Sequence, residues 1–377
     1  MRVLHINANY LNSALHQSLV KHLNELGIED SVFCPVRKNI DIIERQSPGV
    51  VVNRCFNKWD RFFYYIKQNK IVAAIEKSYN VLNYDCIHAH TLFTDGGAAM
   101  QLSKKYGIPY VVAVRNTDVN AFFKYRFFLR KRGIEILKNA SKVFFLSPAY
   151  MDQVLNKYVS IRDREDIKNK SVIVPNGIDD FWYANKLESK SMQSRISKVK
   201  TKQLSVICVA AIDRNKNIPF VVKAIDNLNK KGWQITFEIV GKILDEHEYD
   251  KIKEYDFVRY YAAMSKEELV NRYRANELFI MLSHYETFGL VYAEALSQGL
   301  PVIYTRGQGF DGQFAEGEVG YAASDVDEIE LEDVIEKVTS NYGVLAERIW
   351  RLNKPFWWVQ IADTYSKIYG SLSEKGR

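Results

Sequence analysis

The run Leu278-Phe279-Ile280-Met281-Leu282-Ser283-His284-Tyr285-Glu286-Thr287-Phe288-Gly289-Leu290 decides the fold of this chain. Its first five residues are an apolar strand that ends in a polar turn. A helix over Leu290–Gln298 follows, and Gly299-Leu300-Pro301 stops it ahead of a second strand, Val302–Tyr304. The unit is a β-turn-α whose loop leaves the carboxyl end of a parallel strand, where open α/β sheets bind ligands. The helix tip at Gly289-Leu290 presents unpaired N–H groups and about half a unit of positive charge, which suits a diphosphate. Gly289 lacks a Cβ, so the backbone there can approach a ligand closely.

Two carboxylates flank this tip. Glu286 precedes the helix and Glu294 lies within it, eight residues on. At ~100° per residue they fall within about 80° of one face. One can address a group beyond the tip while the other reaches along the flank, and each can accept two hydroxyls from a sugar diol.

Outward from this window the same alternation fills the chain. Upstream strands are expected at Arg2–Ile6, Ser31–Cys34, Val50–Val52, Asp85–Ala89, Tyr110–Val114 and Lys142–Leu146. Helices are expected near Ala14–Leu26, Arg61–Ser78, Gly97–Lys105 and Tyr125–Asn139. The pattern restarts with a strand at Leu204–Ala211, a helix at Ile218–Asn229, a strand at Gln234–Val240 and a helix at Lys266–Arg274. Lys186–Gln203, with six basic residues, one acid and four serines, reads as a solvated linker. Pro355-Phe356-Trp357-Trp358 opens a last amphipathic helix. The expected organisation is a first doubly wound domain over residues 1–168, rejoined by the terminal helix 356–377, and a second over 169–355.

Composition narrows the class. The 377 residues are 47% hydrophobic and 26% charged, which excludes a disordered or collagenous chain. Lysine and arginine exceed the acids by 52 to 45, a net +7 that suits anionic ligands. Cys34, Cys55, Cys86 and Cys208 form no C-x-x-C pair, so neither a zinc knuckle nor a thioredoxin-like motif is expected. No run reaches the ~18 apolar residues of a membrane span. The short, weakly basic start of the chain does not resemble a signal peptide, and a cytoplasmic protein is expected.

The stretch Glu286–Val302 resembles the signature of the family 4 glycosyltransferases, retaining enzymes of the GT-B fold. Asp85–His90, Ile173–Asp179, the strand leading to Lys216 and the terminal tryptophan helix are similar to the family in the family's order. The resemblance implies two Rossmann-like domains facing across a cleft that holds the active site. It also implies that Glu286 holds the donor sugar's C3 and C4 hydroxyls and Glu294 the ribose diol. Phe288, Gly289 and Leu290 would supply backbone contacts, Asn176 would lie on the donor side, and Lys216 would meet the pyrophosphate. A leaving diphosphate gains negative charge, and a fixed cation stabilises it. The implied catalytic set is Glu286, Lys216 and Asp118. No metal or other cofactor is implied, and the acceptor would attack from the leaving-group side with no protein nucleophile.

Three positions depart from the family pattern. Ala211 stands where an arginine is usual, so Arg214 is the substitute candidate for the phosphate. Arg115 stands where a histidine is usual, with Asp118 kept. The first strand's loop lacks the double glycine but has Ser13 and Ala14, small enough for a ligand to approach. His88 and His90 share one strand face, and no third metal ligand is evident at usable spacing. His90, Arg115 and Ser13 are the acceptor-side candidates. Asp325-Val326-Asp327 reads as a surface turn.

Phe122–Gly133 carries Lys124, Arg126, Arg130, Lys131 and Arg132, no acid, and five aromatic rings. On a helix this sets a basic stripe beside an aromatic one, suited either to an anionic membrane or to a core. Arg54–Lys70 has the same character. The expected activity is transfer of a sugar, from a UDP-sugar most simply, to a glycan or lipid-linked acceptor of bacterial surface polysaccharide, with no nucleic acid involved. A GT-B sugar-nucleotide epimerase and a non-catalytic sugar-nucleotide binder would use the same donor residues.

Overall fold

The computed structural model describes residues 1–38, 49–187 and 190–373. The chain divides into two compact units. The first comprises Met1–Leu146, Tyr150–Gly177 and Trp358–Arg377, and the second Ser147–Ala149 and Ile178–Trp357.

The first unit is built on a seven-stranded parallel sheet. Its strands are β1 (Arg2–Ile6), β2 (Glu29–Arg37), β3 (Val50–Phe56), β4 (Cys86–Ala89), β5 (Tyr110–Val114), β6 (Lys142–Phe145) and β7 (Ser171–Ile173), in the order 3-2-1-4-5-6-7. β4 and β5 are buried along their whole length, because helices cover both faces of a parallel sheet. One face packs the helices Tyr64–Ser78, Gly96–Tyr106 and Arg130–Asn139. The other face is closed by Ala14–Glu25 and by the terminal helix Trp358–Ser373, whose Trp358, Ile361, Tyr365 and Tyr369 sit against Val3, Val111 and Phe144. Trp358 lies so close over Gly177 that a Cβ there would come within 2.5 Å of the indole. A larger residue at 177 would require the indole to shift.

The second unit has six parallel strands: β8 (Gln203–Val209), β9 (Gln234–Val240), β10 (Val258–Tyr261), β11 (Leu278–Met281), β12 (Val302–Thr305) and β13 (Gly320–Ala323). Their order is 10-9-8-11-12-13. Both sheets therefore reverse direction beside their first strand, between β1 and β4 and between β8 and β11. Loops from the carboxyl ends of these strands diverge there and leave a crevice.

Several expectations need correction. The first sheet runs on to β7, past residue 168, and the division between units falls at 177/178. The segment read as a linker contains the helix Lys190–Val199, anchored by Arg195. That arginine is buried, and it donates to the carbonyls of Gln298 (3.1 Å) and Arg274 (2.9 Å). Residues 188 and 189 of that segment, and 374–377 of the terminal one, lie outside the described residues. The helix expected over Tyr125–Asn139 is regular only from Arg130. Before it, Asp118–Phe123 is a wide π-turn and Phe127–Leu129 a 3-10 turn. Phe123 points into the core while Tyr125, Phe127 and Phe128 point out, an arrangement without helical period.

Candidate active site

In the second unit, β11 delivers the loop Leu282–Gly289 to the helix Leu290–Ser297. Gly289 sits at φ 72° as the N-cap, and a Cβ there would lie 2.5 Å from the Tyr292 ring. Both the sign of φ and the space require glycine. Glu286 Oε2 meets Lys216 Nζ at 2.8 Å, with the two side chains only 15% and 21% exposed. Glu286 Oε1 accepts from the Thr287 amide at 3.0 Å, and the Glu286 amide donates to Gln308 Oε1 at 3.1 Å. A Cβ on Gly309 would collide with the Thr287 carbonyl, so the Gln308-Gly309 turn can back this loop only without a side chain at 309.

Lys216 is positioned by its own loop. Its amide donates to Asp213 Oδ1 at 3.0 Å, and Asn217, at φ 54°, starts the helix Ile218–Lys230. Asn215 ties this loop to the next. Its Nδ2 donates to the Tyr285 carbonyl and its Oδ1 accepts from the Tyr285 amide, both at 3.0 Å, while its carbonyl accepts from the His284 amide at 2.9 Å. Three hydrogen bonds therefore fix the separation of Lys216 from Glu286. A lone asparagine in a turn gave no sequence signal for this.

Glu294 lies on the buried flank of the helix, where the Tyr273 hydroxyl donates to its Oε2 at 3.3 Å. Burial pushes its carboxyl up to about 7, the Tyr273 hydrogen bond opposing the shift only in part. Phe288 is a core residue against Phe310 and Phe356, so only its backbone is available to a ligand. Leu290 begins the helix, half-buried. Arg214 does not join the group: it is 79% exposed and pairs with Asp245 at 3.3 Å. Asp325 pairs with His284 at 2.6 Å, and Asp327 caps the helix Glu328–Ser340.

In the first unit, the segments that follow β1, β4 and β5 carry the acceptor-side candidates Ser13, His90 and Arg115. Ser13 caps the helix Ala14–Glu25, accepting from the His16 amide, so its hydroxyl is committed to the fold. Arg115 donates to the His90 carbonyl (3.3 Å) and to Asn176 Oδ1 (3.1 Å), so Asn176, expected on the donor side, instead stands in the first unit beside two acceptor-side candidates. Asp118 is fully buried, and its carboxylate accepts from the amides of Leu92, Phe93 and Arg115 at 2.9–3.0 Å. Burial outweighs those bonds and raises it to about 6. With both oxygens so engaged, Asp118 pins two loops and is not presented to a ligand.

The reading that His88 and His90 lack a third partner is corrected by His5, the cross-strand neighbour of His88. His5 Nε2 hydrogen-bonds Asp30 Oδ1 at 2.7 Å, and its Nδ1 hydrogen-bonds His90 Nε2 at 2.9 Å. His88 Nδ1 hydrogen-bonds the Tyr369 hydroxyl at 2.6 Å, and the His88 and His90 rings stack at 4.0 Å. One nitrogen of each of the three rings lies within 4.8 Å of the others, a spacing compatible with a metal ion. The nitrogens of His5 are both taken up by these hydrogen bonds. His16 adds a fourth imidazole, bonded to Asn7 Oδ1 at 3.0 Å. Burial holds His16 down to about 3 and His88 and His90 well below 6.5. Asp95, accepting from Thr91 Oγ1 (2.8 Å) and the Ala8 amide (3.2 Å), is pushed up to about 7 by burial. The signal for His5 was present in the sequence, a polar residue between Leu4 and Ile6 on a buried strand. Asp95 and His16 had no comparable mark.

Two doubly wound parallel sheets, the second with a lysine–glutamate pair at a helix tip, are the architecture of a GT-B glycosyltransferase. Residues 17–180 match the family described as Glycosyltransferase Family 4, and residues 189–351 match Glycosyl transferases group 1. The chain belongs to the family 4 glycosyltransferases. It is 24% identical over 367 residues to a probable sucrose-phosphate synthase of Thermosipho melanesiensis, covering 90% of this chain and 81% of that one. It is 26% identical over 324 residues to the alpha-monoglucosyldiacylglycerol synthase of Acholeplasma laidlawii, covering 80% and 78%. The Anabaena protein HepE, solved in complex with UDP and glucose, matches with a TM-score of 0.66 at 18% identity over 98% of this chain and 100% of that one.

Proposed function

We propose that this glycosyltransferase moves a sugar from a nucleoside-diphosphate donor, most simply a UDP-sugar, to a glycan or lipid-linked acceptor with retention at the anomeric carbon. The pathway we assign is bacterial surface polysaccharide synthesis, on the cytoplasmic side of an anionic membrane. The observation that carries the reading is the 2.8 Å pair of Lys216 and Glu286 at the tip of the helix Leu290–Ser297. In the free protein the two neutralise each other. A donor would separate them: its diphosphate takes Lys216 and the amides at Gly289-Leu290, and its sugar hydroxyls take the released Glu286 carboxylate.

As the glycosidic bond breaks, the charge that grows on the diphosphate meets a cation and a helix N-terminus already in place. Glu294 would receive the ribose diol. The acceptor attacks from the side the diphosphate leaves, and the donor phosphate takes its proton, so no step runs through a metal. Arg115, held by Asn176 and the His90 carbonyl, borders the acceptor side, and Asp118 and Ser13 position its loops. A UDP-glucose-bound structural relative and a glycolipid-forming sequence relative support the donor and acceptor classes respectively.

The test is a thermal-shift panel of intact nucleotide-sugars on the wild type and Glu286→Ala, followed by transfer from the best donor. Stabilisation by one donor class, lost in the variant together with transfer, supports the reading. Unchanged transfer in both Glu286→Ala and Lys216→Ala would overturn it.

A further inference from the structure

We infer that the first unit carries a built docking surface for an anionic lipid bilayer, formed by two segments that lie 60 residues apart in the chain and that the fold brings side by side. The inference rests on the proposed reaction only in taking its acceptor to be membrane-borne. Trp59, Phe62 and Phe63 stand 72%, 72% and 58% exposed; Tyr125, Phe127 and Phe128 stand 67%, 72% and 65% exposed. Among the described residues, every exposed phenylalanine of the protein lies in these two segments. Large rings left in water at this density are costly for a protein that stays in solution, and they mark an interaction surface.

The two segments share a seam. Tyr65, which follows Phe63 and Tyr64, meets Arg132 of the second segment, whose guanidinium lies 5.6 Å over the Tyr65 ring. Gln68 Nε2 donates to the Phe93 carbonyl, and the Phe93 ring stacks on Phe122 at 4.8 Å, at the base of the second segment. The core side of this seam is closely packed: a Cβ on Gly133 would come within 2.5 Å of Phe93. The outward rings therefore rise from a rigid base.

Charge selects the partner. Lys58 flanks the first segment and Lys124, Arg126 and Lys131 the second. The second has no acid, and the sole acid of the first, Asp60, is buried and held by Lys70 and the Asn57 amide. Exposed rings mixed with bases and cleared of acids match the headgroup region of an anionic bilayer, where aromatic rings bury and lysines meet phosphate. A protein partner would be served by rings alone; the complete removal of surface acid favours the lipid. The surface also continues into the acceptor side. The π-turn Asp118–Phe123 leads from the loop of Arg115 directly to Tyr125, so docking would hold that loop at the headgroups.

The experiment is co-sedimentation of the full chain with vesicles of phosphatidylcholine alone or mixed equally with phosphatidylglycerol, at 0.15 M salt. The wild type should partition onto the mixed vesicles at least tenfold better than onto the neutral ones. Trp59→Ser with Phe62→Ser, and separately Phe127→Ser with Phe128→Ser, should each lower that partition at least tenfold with an unchanged thermal transition. Equal binding to both vesicle types, no binding, or variants that bind like the wild type would overturn the inference. Competition by a soluble polyanion with no vesicle preference would assign the surface to nucleic acid and overturn it as well. Donor binding is measured on the same samples. Donor binding without vesicle binding refutes the docking surface alone, and the reverse refutes the proposed reaction alone.

Discussion

The titration of Glu294 gives the sharpest quantitative test of the donor half-site. Its carboxyl is buried under Tyr273 and raised to about 7. A ribose diol donates two hydroxyls, and the carboxylate accepts both, whereas the protonated acid must give up one acceptor position. Donor binding should therefore select the ionised form. From pH 8 to pH 6 the ionised fraction of a group titrating near 7 falls from about nine-tenths to about one-tenth, so the donor dissociation constant should rise close to tenfold, or ~1.4 kcal/mol. The assay is isothermal titration with an intact nucleotide-sugar, whose phosphodiester groups do not titrate in this range. Glu294→Gln, which keeps the shape and one acceptor, should bind weakly and with no pH dependence between 6 and 8. A flat profile in the wild type, or the same slope in the variant, would show that Glu294 does not meet the diol.

Further outcomes follow from the same geometry. Lys216→Ala should lower the transfer rate by about 10²–10³, the usual loss when one fixed charge is taken from a developing anion, with the thermal transition as the fold control. Gly289→Ala should abolish donor-induced stabilisation, since a residue with a Cβ resists φ 72° and meets Tyr292 at 2.5 Å; calorimetry should also show a stability loss of about 1 kcal/mol or more. Arg214→Ala should leave donor affinity within about twofold, because this exposed arginine faces Asp245 and not Lys216. His16 is held neutral down to about 3, so the unfolded chain binds its proton first. The stability this contributes is complete above about 6.5 and is lost as pH falls toward 3, by ~1.4 kcal/mol per pH unit. In His16→Gln the stability–pH slope between pH 6 and 4, measured by calorimetry, should be shallower by that amount.

Much of the fold was legible because a parallel sheet buried on both faces writes itself as short apolar runs between amphipathic ones. The windows around β1, β5, β8 and β11 carried that pattern unmixed. What escaped was structure held by polar groups. The helix Lys190–Val199 depends on Arg195 bonding to helix-terminal carbonyls, so its sequence looks like a charged linker. β7 was hidden by its three half-buried residues, too few for a periodicity. At the site, Glu286 and Gly289 were readable from the loop and the helix tip, and Lys216 came only from the resemblance to the family. Asn215, Gln308 and His5 were not, since each acts through partners tens of residues away. Arg214 failed for the converse reason: proximity in sequence to Lys216 says nothing about which way a turn aims its side chain.

The terminal helix has a consequence for how the protein is made. Residues 178–357 make up all of the second unit but Ser147–Ala149, and every strand of its sheet lies within that one stretch. The sheet that precedes it must wait for Trp358–Tyr369 to cover its histidine-lined face. The half that is synthesised first is therefore the half completed last. Until then the nascent chain exposes a ready-made hydrophobic groove, and a chaperone or a premature stop would act on that stage of its biogenesis.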